Sequence, residues 1–133
     1  MTVFADAFFY VAFMNRLDEH HKAVMAWAEG FAGEIVTTQW VLAEVADAFA
    51  ESQIRRQIKV SFDTLDEDPA TRIVRVSPEY FARGMQLYNE RPDKEWSLTD
   101  CISMVVMADE GLTESLTRDH HFEQAGFTAI FAD

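Results

Sequence analysis

The sequence has almost no cysteine, which excludes several classes of protein. Its one cysteine, Cys101, can form neither a disulfide within the chain nor a cysteine-rich zinc site. An unpaired thiol fits a reducing compartment, so we expect the protein in the cytoplasm. Cys101 stands in an apolar segment with no evident base partner, and we interpret it as a small buried residue, not as a nucleophile.

Long apolar runs are also missing. The apolar stretch over residues 3–14 is broken by Asp6 and lacks a basic start, so it does not resemble a secretory signal. No run approaches the roughly 18 residues that span a bilayer, and no membrane contact is predicted. Repeats, low-complexity tracts and Gly/Ser/Pro linkers are absent too. Because 49% of the 133 residues are hydrophobic, we expect one globular domain over residues 1–133.

Positive charge is scarce as well. The chain has 11 lysines and arginines against 23 aspartates and glutamates, a net charge of −12 and a pI near 4.6. Proteins that bind nucleic acid usually carry a basic face, because phosphate contacts supply most of the affinity. The composition therefore argues against simple electrostatic capture of RNA. It does not argue against a site that holds phosphate through a bound cation or a few local arginines.

Short strand patterns alternate with helical patterns along the chain. The predicted strands are 2–6, 34–37, 72–76, 112–117 and 128–131. The predicted helices are 7–16, 18–32, 38–49, 52–65, 97–110 and 120–125. A further helix is predicted to begin at residue 77 and to end before a loop at 91–94. This alternation predicts an α/β fold of three layers, α/β/α, with a mostly parallel central sheet. Such sheets bind ligands at the carboxyl ends of their strands.

Polar residues at the predicted helix ends support these boundaries. Thr37 or Thr38, Ser77 and Ser97 fit N-cap positions, and a proline follows Ser77 at the first helical position. Gly111 fits the left-handed residue that commonly follows the last turn of a helix.

Asp6 and Asp119 fall where a parallel sheet would place a ligand site. Asp6 ends the first predicted strand, and Asp119 follows a later one. Each also fits the N-cap of the next helix, a common role for aspartate, and for Asp6 taken alone capping is the favoured interpretation. Arg118, beside Asp119, is a candidate for a phosphate contact.

Glu44 lies on an apolar helix face. It shares that face with Val41, Val45 and Ala48, and buried glutamates are rare unless they are paired or bound to metal. The alternative is a side chain at the rim of the face with its carboxylate in water. The spacing leaves both interpretations open.

Asp100 begins a helix that is apolar almost all round. The segment from Ser97 to Asp100 fits a capping box, in which the serine and the acid satisfy each other's backbone N–H groups. Capping and metal binding can coexist there. Thr99 is placed to orient a neighbouring carboxylate or a metal-bound water.

The histidines occur as two adjacent pairs, His20–His21 and His120–His121. Neighbouring residues on a helix point about 100° apart, so one pair cannot bind one ion from a single face. We interpret both pairs as structural or solvated.

Four segments, taken in order, resemble the PIN-domain family, including the VapC-type toxins of bacterial toxin–antitoxin pairs. They are VFAD at 3–6, TQWVLAE at 38–44, WSLTDCIS at 96–103 and LTRDHHFEQAGF at 116–127. Their order and spacing run through almost the whole chain. Four acids fall at the family's four acidic positions.

The resemblance implies a single α/β/α domain that gathers those acids at one end of the sheet. It implies a metal-dependent endoribonuclease whose catalytic, metal-binding residues are Asp6, Glu44, Asp100 and Asp119. Mg²⁺ or Mn²⁺ would be the cofactor, RNA the substrate, and Ser97 and Thr99 supporting contacts. A separate antitoxin protein and a homodimer are implied as partners.

Electrostatics also requires a cation if the acids converge. Two carboxylates about 5 Å apart repel by roughly 3 kcal/mol at an effective dielectric constant near 20. A helix N-terminus returns only about 0.3–1 kcal/mol to each acid. Capping therefore cannot hold four ionised acids together, and a divalent cation or protonation must.

Two other interpretations stay open. The family usually has a small polar residue directly after the first aspartate, where this chain has Ala7 and Phe8. With the charge of −12, this departure fits a PIN-like module that binds protein or RNA with little or no catalysis. The third interpretation is a phosphohydrolase for a small substrate, although no glycine-rich phosphate loop supports it.

Overall fold

The computed structural model describes residues 1–133. Its strands are β1 (Thr2–Ala5), β2 (Glu34–Thr38), β3 (Thr71–Val74), β4 (Glu114–Leu116) and β5 (Thr128–Ala129). Its α-helices are α1 (Ala7–Met14), α2 (His21–Glu29), α3 (Gln39–Ala48), α4 (Ile58–Glu67), α5 (Pro78–Glu90), α6 (Leu98–Glu110) and α7 (His120–Gln124). A 3-10 helix at Gln53–Gln57 precedes α4.

The five strands form one sheet in the order β3–β2–β1–β4–β5. Every neighbouring pair is parallel. The chain moves outward from β1 to β3 and then crosses back to β4, so right-handed connections place α5 and α6 on the face opposite the earlier helices. The predicted fold class, three layers around a parallel sheet, is confirmed.

The predicted caps begin and end the helices. The side chain of Thr38 accepts a hydrogen bond from the Val41 N–H at 3.1 Å, which selects Thr38 over Thr37 as the cap. Ser77 Oγ accepts one from the Tyr80 N–H at 3.1 Å. Gly111 ends α6 with a φ of 67°, in the left-handed region that glycine adopts at no steric cost.

The hydrophobic core includes the central strand β1 and the apolar helix α6. Val3, Phe4 and Ala5 of β1 are fully buried, because β1 has neighbours on both edges and helices on both faces. Helix α6 buries most of its length, as its apolar sequence predicted. Cys101 is fully buried, and burial raises the pKa of its thiol to about 11, so it is not a nucleophile.

Three local predictions were wrong. Ala48 is exposed, although Val41 and Val45 of the same helix are buried as predicted. The helix predicted over 52–65 is a 3-10 turn followed by α4, and the strand predicted over 112–117 has only three residues. Each error concerns an element end or a helix rim, where periodicity carries least information.

Helices α5 and α6 pack closely because a glycine lies at their contact. A Cβ atom at Gly84 would lie 2.3 Å from Ile102 Cγ1 and 3.3 Å from Ile102 Cα. Gly84 is buried and Ile102 is 1% exposed, so neither residue has free space to move into. This contact fixes α6, and with it the first turn that carries Asp100.

No helix of this structure has both the length and the apolar character that crossing a membrane requires.

Candidate active site

The four predicted acids reach one region from four elements. Asp6 follows β1 directly, Glu44 lies in α3, Asp100 lies in the first turn of α6, and Asp119 is the N-cap of α7. Because β1 and β4 are parallel neighbours, their carboxyl ends bring residues 6 and 117 together. The contacts below link all four acids to one another.

Asp6 is buried at the bottom of this region. It is 8% exposed and occupies the predicted N-cap position of α1, but its side chain makes no capping hydrogen bond to that helix. Its Oδ2 accepts a hydrogen bond from Thr117 Oγ1 at 2.9 Å. The same hydroxyl accepts a bond from the Asp119 N–H at 3.1 Å. Thr117 therefore joins the first acid to the last.

Burial raises the pKa of Asp6 to about 7. The negative charges of Asp100 and Glu44 raise it further, while the hydrogen bond from Thr117 opposes the shift. The ionised form of this carboxyl is therefore unfavourable in its buried position unless a cation binds to it.

Glu44 is half-buried on α3, and its carboxylate feels the negative charge of Asp100. Burial raises its pKa, the Thr99 hydroxyl lowers it, and the charge of Asp100 raises it again. Of the two interpretations left open by the sequence, the structure favours a carboxylate in a cleft.

Asp100 has the capping role that its sequence context predicted. Ser97 Oγ accepts a hydrogen bond from the Asp100 N–H at 3.0 Å, and Asp100 Oδ2 accepts one from the Ser97 N–H at 3.2 Å. The residue is only 9% exposed. Its second oxygen, Oδ1, takes part in no hydrogen bond of the structure and is available to a ligand.

His121 is the residue that the sequence interpretation missed. Its Nδ1 lies 3.2 Å from Asp100 Oδ2 and 3.3 Å from Asp119 Oδ1, with the side chain 18% exposed. Its neighbour His120 is 70% exposed, as expected for a solvated residue. Contrary to the sequence expectation for adjacent histidines, both rings border Asp119: they lie 4.6 Å apart, and His120 Nδ1 is 3.6 Å from Asp119 Oδ1. Only His121 also approaches Asp100. The signal in the sequence was a histidine two residues after a capping aspartate.

Arg118 borders the acids without neutralising any of them. Its Nη1 lies 2.7 Å from His20 Nε2, and its Nη2 donates to Asp133 Oδ2 at 2.6 Å. The ring of Phe8 lies 5.3 Å from that of His20. With Asp6, Thr117 and Asp119, these three side chains line an open cavity of about 350 Å³.

The charge of the site is not balanced by the protein. None of the four acids has a lysine or arginine nitrogen within 4.0 Å, and only imidazoles approach Asp100 and Asp119. Buried carboxylates normally need a cationic or metal partner. A set of carboxylate oxygens suits a hard divalent cation such as Mg²⁺ or Mn²⁺. The donor set therefore fits the predicted metal.

A family model described as the PIN domain matches residues 3–128 of this sequence. The chain belongs to the PIN-domain family. The match covers all four segments on which the resemblance was based. A search of curated proteins found no match to this PIN domain.

Solved structures share the whole fold of this PIN domain. Mycobacterium tuberculosis VapC20, described as a Sarcin-Ricin loop cleaving toxin, superimposes with a TM-score of 0.86, at 20% identity over 96% of this chain and 98% of that one. FitAcB from Neisseria gonorrhoeae gives a TM-score of 0.68, at 18% identity over 97% and 95%. VapBC2 from Rickettsia felis, bound to a DNA fragment from its promoter, gives 0.66, at 15% identity over 97% of each chain.

Proposed function

We propose that residues 1–133 form one PIN domain that hydrolyses RNA phosphodiester bonds with Mg²⁺ or Mn²⁺, as the toxin of a toxin–antitoxin pair. The observation that carries the proposal is the convergence of four acids on one region that no lysine or arginine neutralises. Family membership supports nuclease chemistry, and VapC20 is described as a Sarcin-Ricin loop cleaving toxin. The proposed site residues are Asp6, Glu44, Asp100 and Asp119.

The four acids would hold the metal, which would lower the pKa of a bound water and stabilise charge on the phosphate. Asp6 and Asp100 are the most buried and would anchor the cation deepest. Asp119 and Glu44 are more exposed and would face the substrate. Thr117 holds Asp6 by a hydrogen bond at 2.9 Å, so Asp6 has a polar partner despite the apolar Ala7 and Phe8 that follow it. Ser97 and Thr99 hold Asp100 and Glu44.

The partners of the protein follow from the same proposal. Relatives of this fold include FitAcB and VapBC2, so we propose a protein antitoxin as partner, in the cytoplasm. An apolar groove of about 410 Å³ lies between α1, α2 and α4 and would seat an apolar segment of that antitoxin. On α5, Phe81, Met85 and Tyr88 form an exposed apolar stripe, and we propose it as the homodimer surface.

The decisive experiment is cleavage of a mixed RNA substrate by wild type and Asp100→Asn. Each protein is assayed with magnesium, with manganese and with EDTA. We expect cleavage by wild type only when metal is present. Because losing a supporting residue of a metal site already costs about 10–100-fold, losing a ligand should reduce cleavage by at least that much.

Two outcomes would contradict the nuclease proposal. One is cleavage in EDTA, and the other is full activity in Asp100→Asn. If neither protein cuts RNA with any metal, the binding-module interpretation takes precedence, and the search moves from substrate to partner.

A second expected result concerns Arg118, which we propose binds an RNA phosphate beside the scissile one. Its guanidinium opens onto the cavity that contains Asp6 and Asp119. A hydrogen bond to a charged group contributes about 1.5–3 kcal/mol, so Arg118→Gln should raise KM for RNA on the order of tenfold or more and change kcat less. Arg56→Gln removes one exposed positive charge away from the site and is the matched control. An equal rise in KM in both variants would show a general charge effect and contradict the assignment.

A further inference from the structure

The imidazole of His121 lies between two of the proposed metal-binding carboxylates. Its Nδ1 is 3.2 Å from Asp100 Oδ2 and 3.3 Å from Asp119 Oδ1. The donor atoms of Asp119, His120 and His121 all lie within 4.8 Å of one another. The site therefore contains a nitrogen donor, His121 Nδ1, beside its carboxylate oxygens.

The spacing of these atoms matches that of ligands on one ion. Adjacent ligands in an octahedron, each about 2.1 Å from the metal, lie about 3.0 Å apart. The two distances from His121 Nδ1 exceed this by only 0.2–0.3 Å, from 3.2 and 3.3 Å. The spacing therefore allows one cation to contact His121 Nδ1 together with the carboxylate of Asp119.

We propose that His121 is a metal ligand and gives the site a preference for later first-row cations over Mg²⁺. The inference rests on the proposed metal-dependent function. It adds His121 to the proposed metal ligands and assigns the site a preference among divalent cations. Imidazole suits transition metals, whereas Mg²⁺ takes oxygen ligands and keeps much of its water. A site of carboxylates alone would bind Co²⁺ only modestly better than Mg²⁺, and the nitrogen widens that difference.

The alternative role of His121 is to hold Asp100 and Asp119 by hydrogen bonds alone. In that case its loss would weaken the binding of every divalent cation by a similar factor. Asparagine separates the two roles, because its amide N–H₂ can occupy the position of Nδ1 and donate to the carboxylates but does not supply an imidazole nitrogen.

The test measures metal binding without RNA. Metal-free wild type, His121→Asn and His121→Gln are titrated with Mg²⁺ and with Co²⁺ by calorimetry. We expect both variants to lose about 10–100-fold in Co²⁺ affinity, and less than about threefold in Mg²⁺ affinity because Mg²⁺ gains little from imidazole. Pulsed EPR of the Mn²⁺-loaded proteins should show imidazole ¹⁴N coupling in wild type and none in the variants.

His120→Gln is the comparison variant, because His120 is the other imidazole of this donor group: its Nδ1 lies 3.6 Å from Asp119 Oδ1, and its side chain is 70% exposed. If His121 is the ligand, this variant behaves as wild type does. It should leave both affinities and the ¹⁴N coupling unchanged. Thermal melting of each variant establishes that it is folded, and the Asn and Gln variants provide two independent chances of a folded protein.

Several outcomes overturn the inference. They are equal losses for Mg²⁺ and Co²⁺, ¹⁴N coupling that persists in both His121 variants, or a loss of coupling in His120→Gln instead. If wild type still cuts RNA with metal, these results remove only the role of His121. If wild type binds no divalent cation at all, the proposed function fails together with this inference.

Discussion

Asp6→Asn is expected to abolish metal-dependent RNA cleavage and at the same time to raise the stability of the metal-free protein. The first effect follows from losing a proposed metal ligand. The second follows from the burial of Asp6, whose pKa rises from 3.8 to about 7. Asparagine has nearly the same shape and no charge, and its amide oxygen can still accept the Thr117 hydrogen bond.

The sign of the pH dependence follows from the raised pKa. Below pH 3.8, Asp6 is protonated in both the folded and the unfolded chain, so its ionisation does not lower the free energy of unfolding. As pH rises toward 7, the unfolded chain releases its proton more readily, so the stability of the folded state declines until Asp6 ionises there too. At pH 8 the accumulated penalty is roughly 4 kcal/mol, at about 1.4 kcal/mol for each pH unit between the two values.

Melting curves in EDTA check this prediction. For a chain of this size, 1 kcal/mol shifts the melting temperature by about 3–5 °C, so a penalty of roughly 4 kcal/mol means that Asp6→Asn should melt roughly 12–20 °C above wild type at pH 8. The gain should shrink at pH 5. Added Mn²⁺ should stabilise wild type and leave the variant unchanged. Glu51→Gln, which removes an exposed charge, is the control for net charge, and a variant no more stable than wild type at pH 8 contradicts the burial argument.

Gly84→Ala is expected to destabilise the protein, although alanine is the better helix former. Propensity alone would favour alanine by about 1 kcal/mol. The new Cβ, however, would lie 2.3 Å from Ile102 Cγ1 and 3.3 Å from the Ile102 backbone, where nothing can move without moving α6. Overpacking of this kind costs about 1–3 kcal/mol, so packing should outweigh propensity.

A double-mutant cycle with Ile102→Ala tests the cause. Ile102→Ala by itself, which removes Cγ1, Cγ2 and Cδ1, should destabilise the protein, because Ile102 is buried. In that background, Gly84→Ala should be neutral or stabilising, since the clash is gone. Urea unfolding of the four proteins gives the coupling free energy. If Gly84→Ala lowers the free energy of unfolding equally in wild type and in Ile102→Ala, the contact with Ile102 does not explain why alanine is unfavourable at position 84.

Local chemistry explains why so much of the fold was predictable. Short hydroxyl side chains suit the N-cap of a helix, and Thr38, Ser77 and Ser97 occupy that position. Glycine suits the left-handed residue at a helix C-terminus, and Gly111 occupies it. The apolar segment after Asp100 could only be a buried helix. The four acids were placed by resemblance to a family, since each has a plausible capping or rim role when taken alone.

The parts that were missed depend on contacts between distant segments. His121 enters the site because the five-residue helix α7 packs against α6, and periodicity does not encode which helices pack together. Arg118 lies beside the acids as expected, but no pattern indicated that His20 and Asp133 would hold its guanidinium. The proximity of Phe8 and His20 was equally invisible, since they belong to separate turns of the chain.

The position of β4 between β1 and β5 has a consequence for protein synthesis. Asp6 and its partner Thr117 are 111 residues apart in the chain. At about 5–20 residues per second, the ribosome makes the second roughly 6–22 s after the first. Until then β1 lacks its neighbour β4, and Asp6 lacks its hydrogen-bond partner. On the proposed function, the site therefore cannot assemble before the chain has been synthesised as far as Thr117.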